Sequence, residues 1–436
     1  MSQINIGIIG FGTVGSGTFE VLTKNRELIR TRVGAELVVR RIADLDTESD
    51  RGITVAPGLL TADAMDLIND PEIHIIIELI GGMGKAREFI LNAMETGKHV
   101  VTANKALLAE GGKEIFQAAE QYRVELGFEA SVGGGIPIIG ALRSGLSGNR
   151  IQNCIGILNG TSNYILTRMT REGLPYARVV QDAVDLGLAE DPPTLDVDGT
   201  DAAHKLAIII STVFGSPVSF EDIHREGIEA LTPDDIRFAG DFGYSIKLLA
   251  IAKDLGDRIG ARVHPAMVPK DHILANVNEA YNAIYIESDF AGPNLYYGLG
   301  AGRRPTGSAV VSDVIGLARQ IRAGAGGLMP PLAHFPPAAG EILIQPIEEL
   351  STPYYFRFSA MDTPGVLSKI AGVLADHRIS ISSVMQKRRD TKDSVPVVML
   401  THEARERDVQ KAIKIIDNLD VVTDRTVVIR MEGSQL

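Results

Sequence analysis

The sequence predicts an α/β protein of three folded parts: a doubly wound N-terminal domain, a mixed α+β central domain and a C-terminal ferredoxin-like unit. Short β-branched runs alternate with helix-like segments through residues 1–130, which implies a parallel sheet covered on both faces. From Gly133 onward, glycine-rich turns and helices rich in Ala, Asp and Arg replace that alternation. Residues 354–431 then read strand, helix, strand, strand, helix, strand, the order of a split βαβ unit.

Taken in order, Ile4–Ile9 is a strand that ends in Gly10-Phe11-Gly12-Thr13-Val14-Gly15, after which Thr18, Val21 and Leu22 follow at helical spacing. Further strands are expected at Glu36–Ala43, Ile73–Leu79, His99–Thr102 and Val124–Glu129, with helices at Ala62–Ile68, Lys85–Glu95 and Ala106–Tyr122. These bound a Rossmann-type domain at 1–130, to which 305–325 is added because Ser308–Ile321 reads as an amphipathic helix that packs back on the first sheet. A central domain at 131–304 contains strand-like Ile151–Leu158 and Ala283–Glu287. Residues 326–350, rich in Pro and Gly, read as a linker. The last domain, 351–436, has strands at Tyr354–Ser359, Ile379–Lys387, Val395–Thr401 and Val421–Ile429, with helices at Gly365–His377 and Glu403–Asn418.

Composition narrows the function classes. A chain of 436 residues, 45% hydrophobic and 22% charged, has core enough to rule out wholesale disorder. Its 43 basic and 55 acidic residues give a net charge of −12, which repels nucleic-acid phosphates and anionic lipid. One cysteine, Cys154, excludes an internal disulfide and a cysteine-based zinc site and is expected to be a small buried hydrophobe. No apolar stretch approaches the roughly 20 residues of a membrane span, and MSQINIGIIG lacks the basic region and apolar core of a signal peptide. A cytoplasmic protein with no membrane partner is expected. No helical His-x-x-x-His pair and no G-x-S-x-G elbow occur, so zinc-enzyme and serine-hydrolase readings lack their parts.

The glycine turn is the first chemical signal. Between a strand and a helix, Gly10 makes the tight turn, Gly12 lets the backbone approach a pyrophosphate and Gly15 permits close helix packing. Asp44 stands near the end of the second strand, where an acid reads the ribose, while Arg40 and Arg41 on the same strand suit a 2′-phosphate. NAD and NADP both stay open. Lys105 follows the fourth strand at the carboxyl edge, where it can face a nicotinamide and an anionic substrate. The densest constellation is GLAEDPPTLDVDGTDAAHK, 187–205, with five acids within twelve residues. Asp201 and Lys205 are four apart and share a helix face, and the apolar run that follows carries Lys205 to a partly buried mouth. His204, on a different face, packs or hydrogen-bonds. Glu129, with the turn Val132-Gly-Gly134-Gly-Ile136, offers one carboxylate and exposed carbonyls to a hard cation.

These segments resemble the homoserine dehydrogenase family over nearly the full length. GFGTVG, TANKALLA, EASVGGGIPII, ILNGTSNYIL and GLAEDPPTLDVDGTDAAHKLAII all look like its signatures. The resemblance implies reversible hydride transfer between NAD(P) and the aspartate 4-semialdehyde/homoserine pair. It implies Lys205 as catalytic lysine, Lys105 as a second lysine on the cofactor side, and Glu190, Asp196 and Asp201 as substrate-binding acids. The cofactor would lie on Gly10, Phe11, Gly12, Thr13, Val14, Gly15, Arg40, Lys105, Gly187 and Gly302. A monovalent cation, Na+ or K+, would lie on Glu129, Val132, Gly134 and Ile136. A homodimer or higher homo-oligomer is implied as well. The C-terminal unit resembles the ACT domain, which in this family usually brings feedback by threonine. Here the chain departs from the pattern: HGISI in such domains reads His377-Arg378-Ile379-Ser380-Ile381, putting a bulky side chain where regulator amides should be bare.

Two other readings share some of these features. A different dehydrogenase with the same domain pair, such as a prephenate dehydrogenase, would not need the GTDAAHK helix. A nicotinamide-sensing regulator would keep the glycine turn and the ACT module but have no use for a proton donor.

Overall fold

The computed structural model describes residues 2–189, 191–335, 342–386 and 394–433. The chain divides into two compact units. The first is Met1–Gly160, Asp201–Ile223 and Tyr281–Ile342; the second is Thr161–Thr200, His224–Ala280 and Leu343–Leu436.

The first unit is built on six parallel strands: β1 (Gln3–Ile9), β2 (Glu36–Ala43), β3 (Leu60–Thr61), β4 (Ile75–Glu78), β5 (His99–Thr102) and β6 (Leu126–Gly127). Their spatial order is β3-β2-β1-β4-β5-β6. The order reverses between β1 and β4, and ligands of such sheets bind outside the carboxyl ends at that point. Consecutive Ile75, Ile76 and Ile77 are all fully buried, as expected of a strand covered on both faces.

Four helices position the site: α1 (Thr13–Lys24), α2 (Lys105–Glu110), α3 (Thr200–Phe214) and α4 (Arg303–Ala323). α4 is the expected returning helix. It packs on α1 so closely that a Cβ on Gly17 would sit 2.0 Å from the Arg303 carbonyl oxygen, and Val310, Val314 and Leu317 join Phe19 and Leu22 in one core. The single helix expected over 106–122 is instead two, α2 and Gly112–Tyr122, split at Gly111-Gly112, because glycine is a poor helix former and leaves the chain free to bend. The strand expected over 124–129 is cut to β6, since the chain turns into a 3-10 segment at Glu129–Ser131 whose first amide donates to Asp313 of α4 at 2.8 Å. The unit also contains an antiparallel trio, with Tyr281–Ser288 between Ile151–Ile157 and Gly292–Leu299. Cys154 is buried there, and burial pushes its thiol up to about 12.

In the second unit, Tyr244–Asp254 and Ile259–Pro269 form a long antiparallel pair. The C-terminal strands Tyr354–Met361, Ile381–Gln386, Ser394–Thr401 and Val422–Met431 form an antiparallel sheet in which the last strand lies beside the first. Helices Val366–Asp376 and Glu406–Ile416 cover it, closing a core around Tyr354, Phe356 and Phe358. This is the expected ferredoxin-like arrangement. Its last strand also pairs in parallel with Ile259–Pro269, through Ala266 with Arg430 and Met267 with Met431. The stretch expected as a linker is anchored on both sides. The Gly327 amide donates to Glu125 at 2.8 Å, and Leu343 and Gln345 bracket Ile259 with backbone hydrogen bonds; residues 336–341 lie outside the described residues. Among the described residues, no helix is long and apolar enough to cross a membrane.

Candidate active site

α3 starts just before Asp201 and runs on through Leu206–Ile210, a run no more than 1% exposed. That apolar run seats the helix in the core and takes Asp201 and Lys205 in with it, leaving them only 5% and 8% exposed. One helical turn separates them. The Lys205 ammonium donates to Asp201 Oδ2 at 2.7 Å and to the Leu158 carbonyl at 2.6 Å. Asn159 Nδ2 donates to the same Oδ2 at 2.8 Å. Lys105, the first residue of α2, brings its ammonium to the other oxygen, Asp201 Oδ1, at 2.6 Å. One buried carboxylate therefore bridges two lysines. Burial alone would raise its pKa, but the charges of Lys205 and Lys105 outweigh that and hold it well below the usual carboxylate range. Lys205 is enclosed, with its side chain 10% exposed, whereas that of Lys105 is 43% exposed.

His204 faces elsewhere, as its place in the helix requires. Its ring packs 4.3 Å from that of Phe220, and Nε2 lies 3.1 Å from Glu110 Oε1 at the end of α2. Burial lowers the imidazole pKa, with Glu110 and Asp201 opposing. α2 is thus tied to α3 at both ends.

The glycine turn at the mouth of β1 has the geometry a dinucleotide needs. Gly10 adopts φ +99°, and a Cβ there would strike the Leu79 backbone at 2.7 Å; a Cβ on Gly15 would lie 2.0 Å from the Gly10 carbonyl oxygen. At Gly12 a Cβ would meet nothing within 4 Å, and this N-cap of α1 has no side chain to cap it. The first-turn amides, from Thr13 and Val14 onward, are left for an anionic group. Asp44 accepts from the Phe11 amide, so the acid expected to read the ribose is fastened to the loop. The two arginines of β2 are engaged by acids: Arg40 by Asp70 and Glu72, and Arg41 by Asp66 at 4.0 Å. Arg51 stands closer to the loop, its guanidinium 5.4 Å from the centre of the Phe11 ring and 3.4 Å from Asp44. Gly302, with φ +120°, is the N-cap of α4.

The turn from Glu129 to Ile136 is only partly as expected. The Glu129 carboxylate accepts from the Ile139 and Gly140 amides at 2.8 and 2.7 Å, so it is committed to the next helical turn. Gly133 and Gly134 reverse the chain with φ of +70° and +55°. The Ile136 carbonyl accepts from the Ile138 amide at 2.9 Å. Among the remaining expected residues, Glu190 lies outside the described residues. Asp196, on the short helix Thr194–Val197, and Gly187, with φ +68°, belong to the second unit.

Sequence reasoning missed Asn159, although it lies inside ILNGTSNYIL, a segment singled out without a role for any one residue. Glu110 and Arg51 carried no sequence signal, because each gains its meaning only from a partner far along the chain.

Comparison with known proteins settles the class. The homoserine dehydrogenase model matches residues 137–315, the homoserine dehydrogenase NAD-binding model 10–129 and the ACT model 354–421. A homoserine dehydrogenase of Pseudomonas aeruginosa is 44% identical over 435 residues, covering 99% of each chain. The chain belongs to the homoserine dehydrogenase family. Members are NAD(P)-dependent oxidoreductases of a CH–OH group that serve amino-acid biosynthesis. A solved homoserine dehydrogenase from Thiobacillus denitrificans is similar at a TM-score of 0.93 and 45% identity, over 99% of this chain and 98% of that one. A hyperthermophilic archaeal homoserine dehydrogenase, solved in complex with NADPH, is similar at a TM-score of 0.61 and 28% identity, over 72% of this chain and 97% of that one. Family membership sets aside both the prephenate dehydrogenase and the sensor readings.

Proposed function

We propose that this chain interconverts L-aspartate 4-semialdehyde and L-homoserine, with Lys205 moving the proton, on the route to threonine, methionine and isoleucine. The observation that carries the proposal is the buried Asp201 carboxylate bridging Lys205 and Lys105. When bound, a nicotinamide would supply or accept the hydride at the reacting carbon. As the aldehyde is reduced, its oxygen gains negative charge, and the enclosed Lys205 ammonium donates a proton to it; in the reverse direction the neutral amine takes the hydroxyl proton. Asp201 orients Lys205 and favours its charged form. Lys105 adds positive charge at the oxygen or the substrate carboxylate. Of the three expected acids, Glu190 and Asp196 are left for the substrate ammonium, because Lys205, Asn159 and Lys105 already take both oxygens of Asp201.

The nucleotide would be held by the Gly10–Gly15 loop, Lys105 and Gly302, with Gly187 the further residue that the family resemblance implies. Asp44 and Arg51, both against Phe11, decide between a ribose hydroxyl and a 2′-phosphate; Arg40, paired with Asp70 and Glu72, must leave those acids to take part. A Na+ or K+ ion would be held by main-chain carbonyls at Glu129, Val132, Gly134 and Ile136, since the Glu129 carboxylate serves the Ile139 and Gly140 amides. The ACT domain is the place where threonine would act as feedback effector. A homodimer is favoured by the aromatic surface of the hairpin Tyr281–Leu299, where Tyr281 stacks on Tyr297 at 5.0 Å and Phe290, in the turn between the two strands, is 87% exposed.

The test is nicotinamide reduction with L-homoserine, run in parallel with NAD and NADP, with and without K+ and threonine. Lys205→Ala is expected to lower kcat by roughly 100-fold or more, the scale of a lost general acid/base. Turnover that survives would move proton transfer to Lys105. A folded, cofactor-binding protein with no homoserine-dependent signal would sink the proposal.

A further inference from the structure

α2 has six residues, too few for a helix to hold its own conformation in water. The position of Lys105 at its start is therefore decided by what fixes that end, and the fixing groups converge on one side chain. Glu78, the last residue of β4, is completely buried. Its Oε1 accepts from the Ile80 and Gly81 amides at 2.9 and 3.0 Å. Its Oε2 accepts from the Thr102 hydroxyl at 2.7 Å. Thr102 Oγ1 in turn accepts from the Asn104 amide at 3.0 Å. Asn104 closes the frame from both ends of its side chain: Oδ1 caps α2 by accepting from the Leu107 amide at 3.1 Å, and Nδ2 donates to the Gly82 carbonyl at 2.7 Å.

We propose that Glu78 is a positioning residue for Lys105, acting through Thr102 and Asn104 to lock the loop after β4 and the start of α2 into one frame. The inference rests on the reading of Lys105 as a working part of the site. Two chemical points support it. The relay has a direction: the Asn104 N–H donates to Thr102, so the Thr102 proton must go to an acceptor, and the Ile80 and Gly81 amides ask the same of residue 78. A carboxylate meets all three demands, whereas glutamine would turn an N–H toward a hydroxyl that already has a proton to place. The loop it holds is also open at the sheet's carboxyl edge. Gly81 and Gly82 have φ of +69° and +75°, and a Cβ on either would meet nothing within 4 Å. Burial pushes the Glu78 carboxyl above the usual range, against the pull of its three donors, which is the balance expected of a carboxyl kept indoors as a structural acceptor.

The experiment compares Thr102→Val, Thr102→Ser, Glu78→Gln, Lys105→Ala and the Lys105→Ala/Thr102→Val pair in homoserine oxidation, with cofactor Kd measured by nucleotide fluorescence. Thr102→Val keeps the shape and removes the relay; it is expected to lower kcat by roughly 10- to 100-fold, the cost of misplacing a group by about 1 Å, with cofactor Kd shifted no further than in Lys105→Ala. Thr102→Ser should recover most of that loss, and Glu78→Gln should reproduce it if the valine variant does not fold. Adding Thr102→Val to Lys105→Ala should cost nothing further, because the relay acts only through Lys105. Lys105→Ala collapsing while Thr102→Val and Glu78→Gln turn over normally would overturn the positioning role and leave the proposed function standing. Additive losses in the double variant would overturn it too, as the mark of a general structural role. An unaffected Lys105→Ala would overturn the role given to Lys105 and this inference with it.

Discussion

A Cβ built on Gly15 would sit 2.0 Å from the Gly10 carbonyl oxygen, whereas one on Gly12 meets nothing within 4 Å. Two glycines of one motif thus answer to different demands, one to the fold and one to a ligand. Gly15→Ala is expected to lose about 3 kcal/mol of stability, as overpacking does, in urea melts. Gly12→Ala should melt like the parent and bind nucleotide more weakly by roughly tenfold, since only the approach to the phosphates is blocked. The motif was plain in the sequence, and so was the helix face shared by Asp201 and Lys205; what the spacing left open was whether that pair lay at the surface. Arg378 shows a local rule being broken. It adopts φ +61° after the helix Val366–Asp376, the conformation that glycine would hold without strain. Arg378→Gly should therefore gain about 1 kcal/mol by thermal or chemical melting, and threonine inhibition assayed in the same variant reports whether the side chain blocks an effector.

Strands and helices with strong periodicity were legible: β1, β2, β5, α1 and the six C-terminal elements lie where the pattern put them. The errors fall where a distant partner overrides local preference, as when Asp313 of α4 captures the Glu129 amide and ends β6 early. The C-terminal sheet is joined to the rest of its unit in a way no pattern announced. Asp235, fully buried, serves the capping box of the helix Pro233–Asp241 and accepts from Arg357 of Tyr354–Met361 at 2.6 Å and from Tyr355 at 3.3 Å. Removing one partner of such a pair leaves a buried charge uncompensated. Arg357→Met is expected to cost about 3 kcal/mol in equilibrium unfolding, and Asp235→Asn combined with it should recover part of the loss.

Acid should act unequally on the two compact units. In the second, His264 is fully buried and its pKa is lowered to about 3 by burial and by the nearby Arg430 and Arg262. The native histidine stays neutral while the unfolded one takes a proton below about 6.5, so stability is complete above that pH and is lost as pH falls toward 3. Glu432, buried but held at about 2 by Arg262 and Lys253, adds a loss of the same sign below 4.5. In the first unit, His99, lowered to about 4 by burial, pulls the same way, but Asp313, raised to about 7 by burial and by Glu129, pulls the other. A carboxyl with a raised pKa binds its proton more tightly when folded, so acidification from pH 7 to 4 stabilises it. The two nearly cancel, whereas His264 alone costs about 1 kcal/mol per pH unit. Hydrogen exchange followed by mass spectrometry at pH 7 and pH 5 should show peptides of Ile259–Pro269 losing protection while those of β4 change little. Equal losses in both would contradict this accounting.

The order of domains, the glycine turn, the ferredoxin-like close and the lysine helix all follow from patterns a few residues long, because turn chemistry and apolar periodicity act between near neighbours. The site's electrostatics do not. Asp201 meets Asn159 from 42 positions away, and Lys205 meets the Leu158 carbonyl from 47, while Lys105 arrives from the start of another helix, α2. Which lysine is enclosed, which acid is spent on holding it, that Arg40 is paired and Arg51 faces the loop, and that Glu78 frames the start of α2 depend on where the backbone has carried each group. Coulomb energy and burial depend on distance in space, and only the folded chain sets that distance.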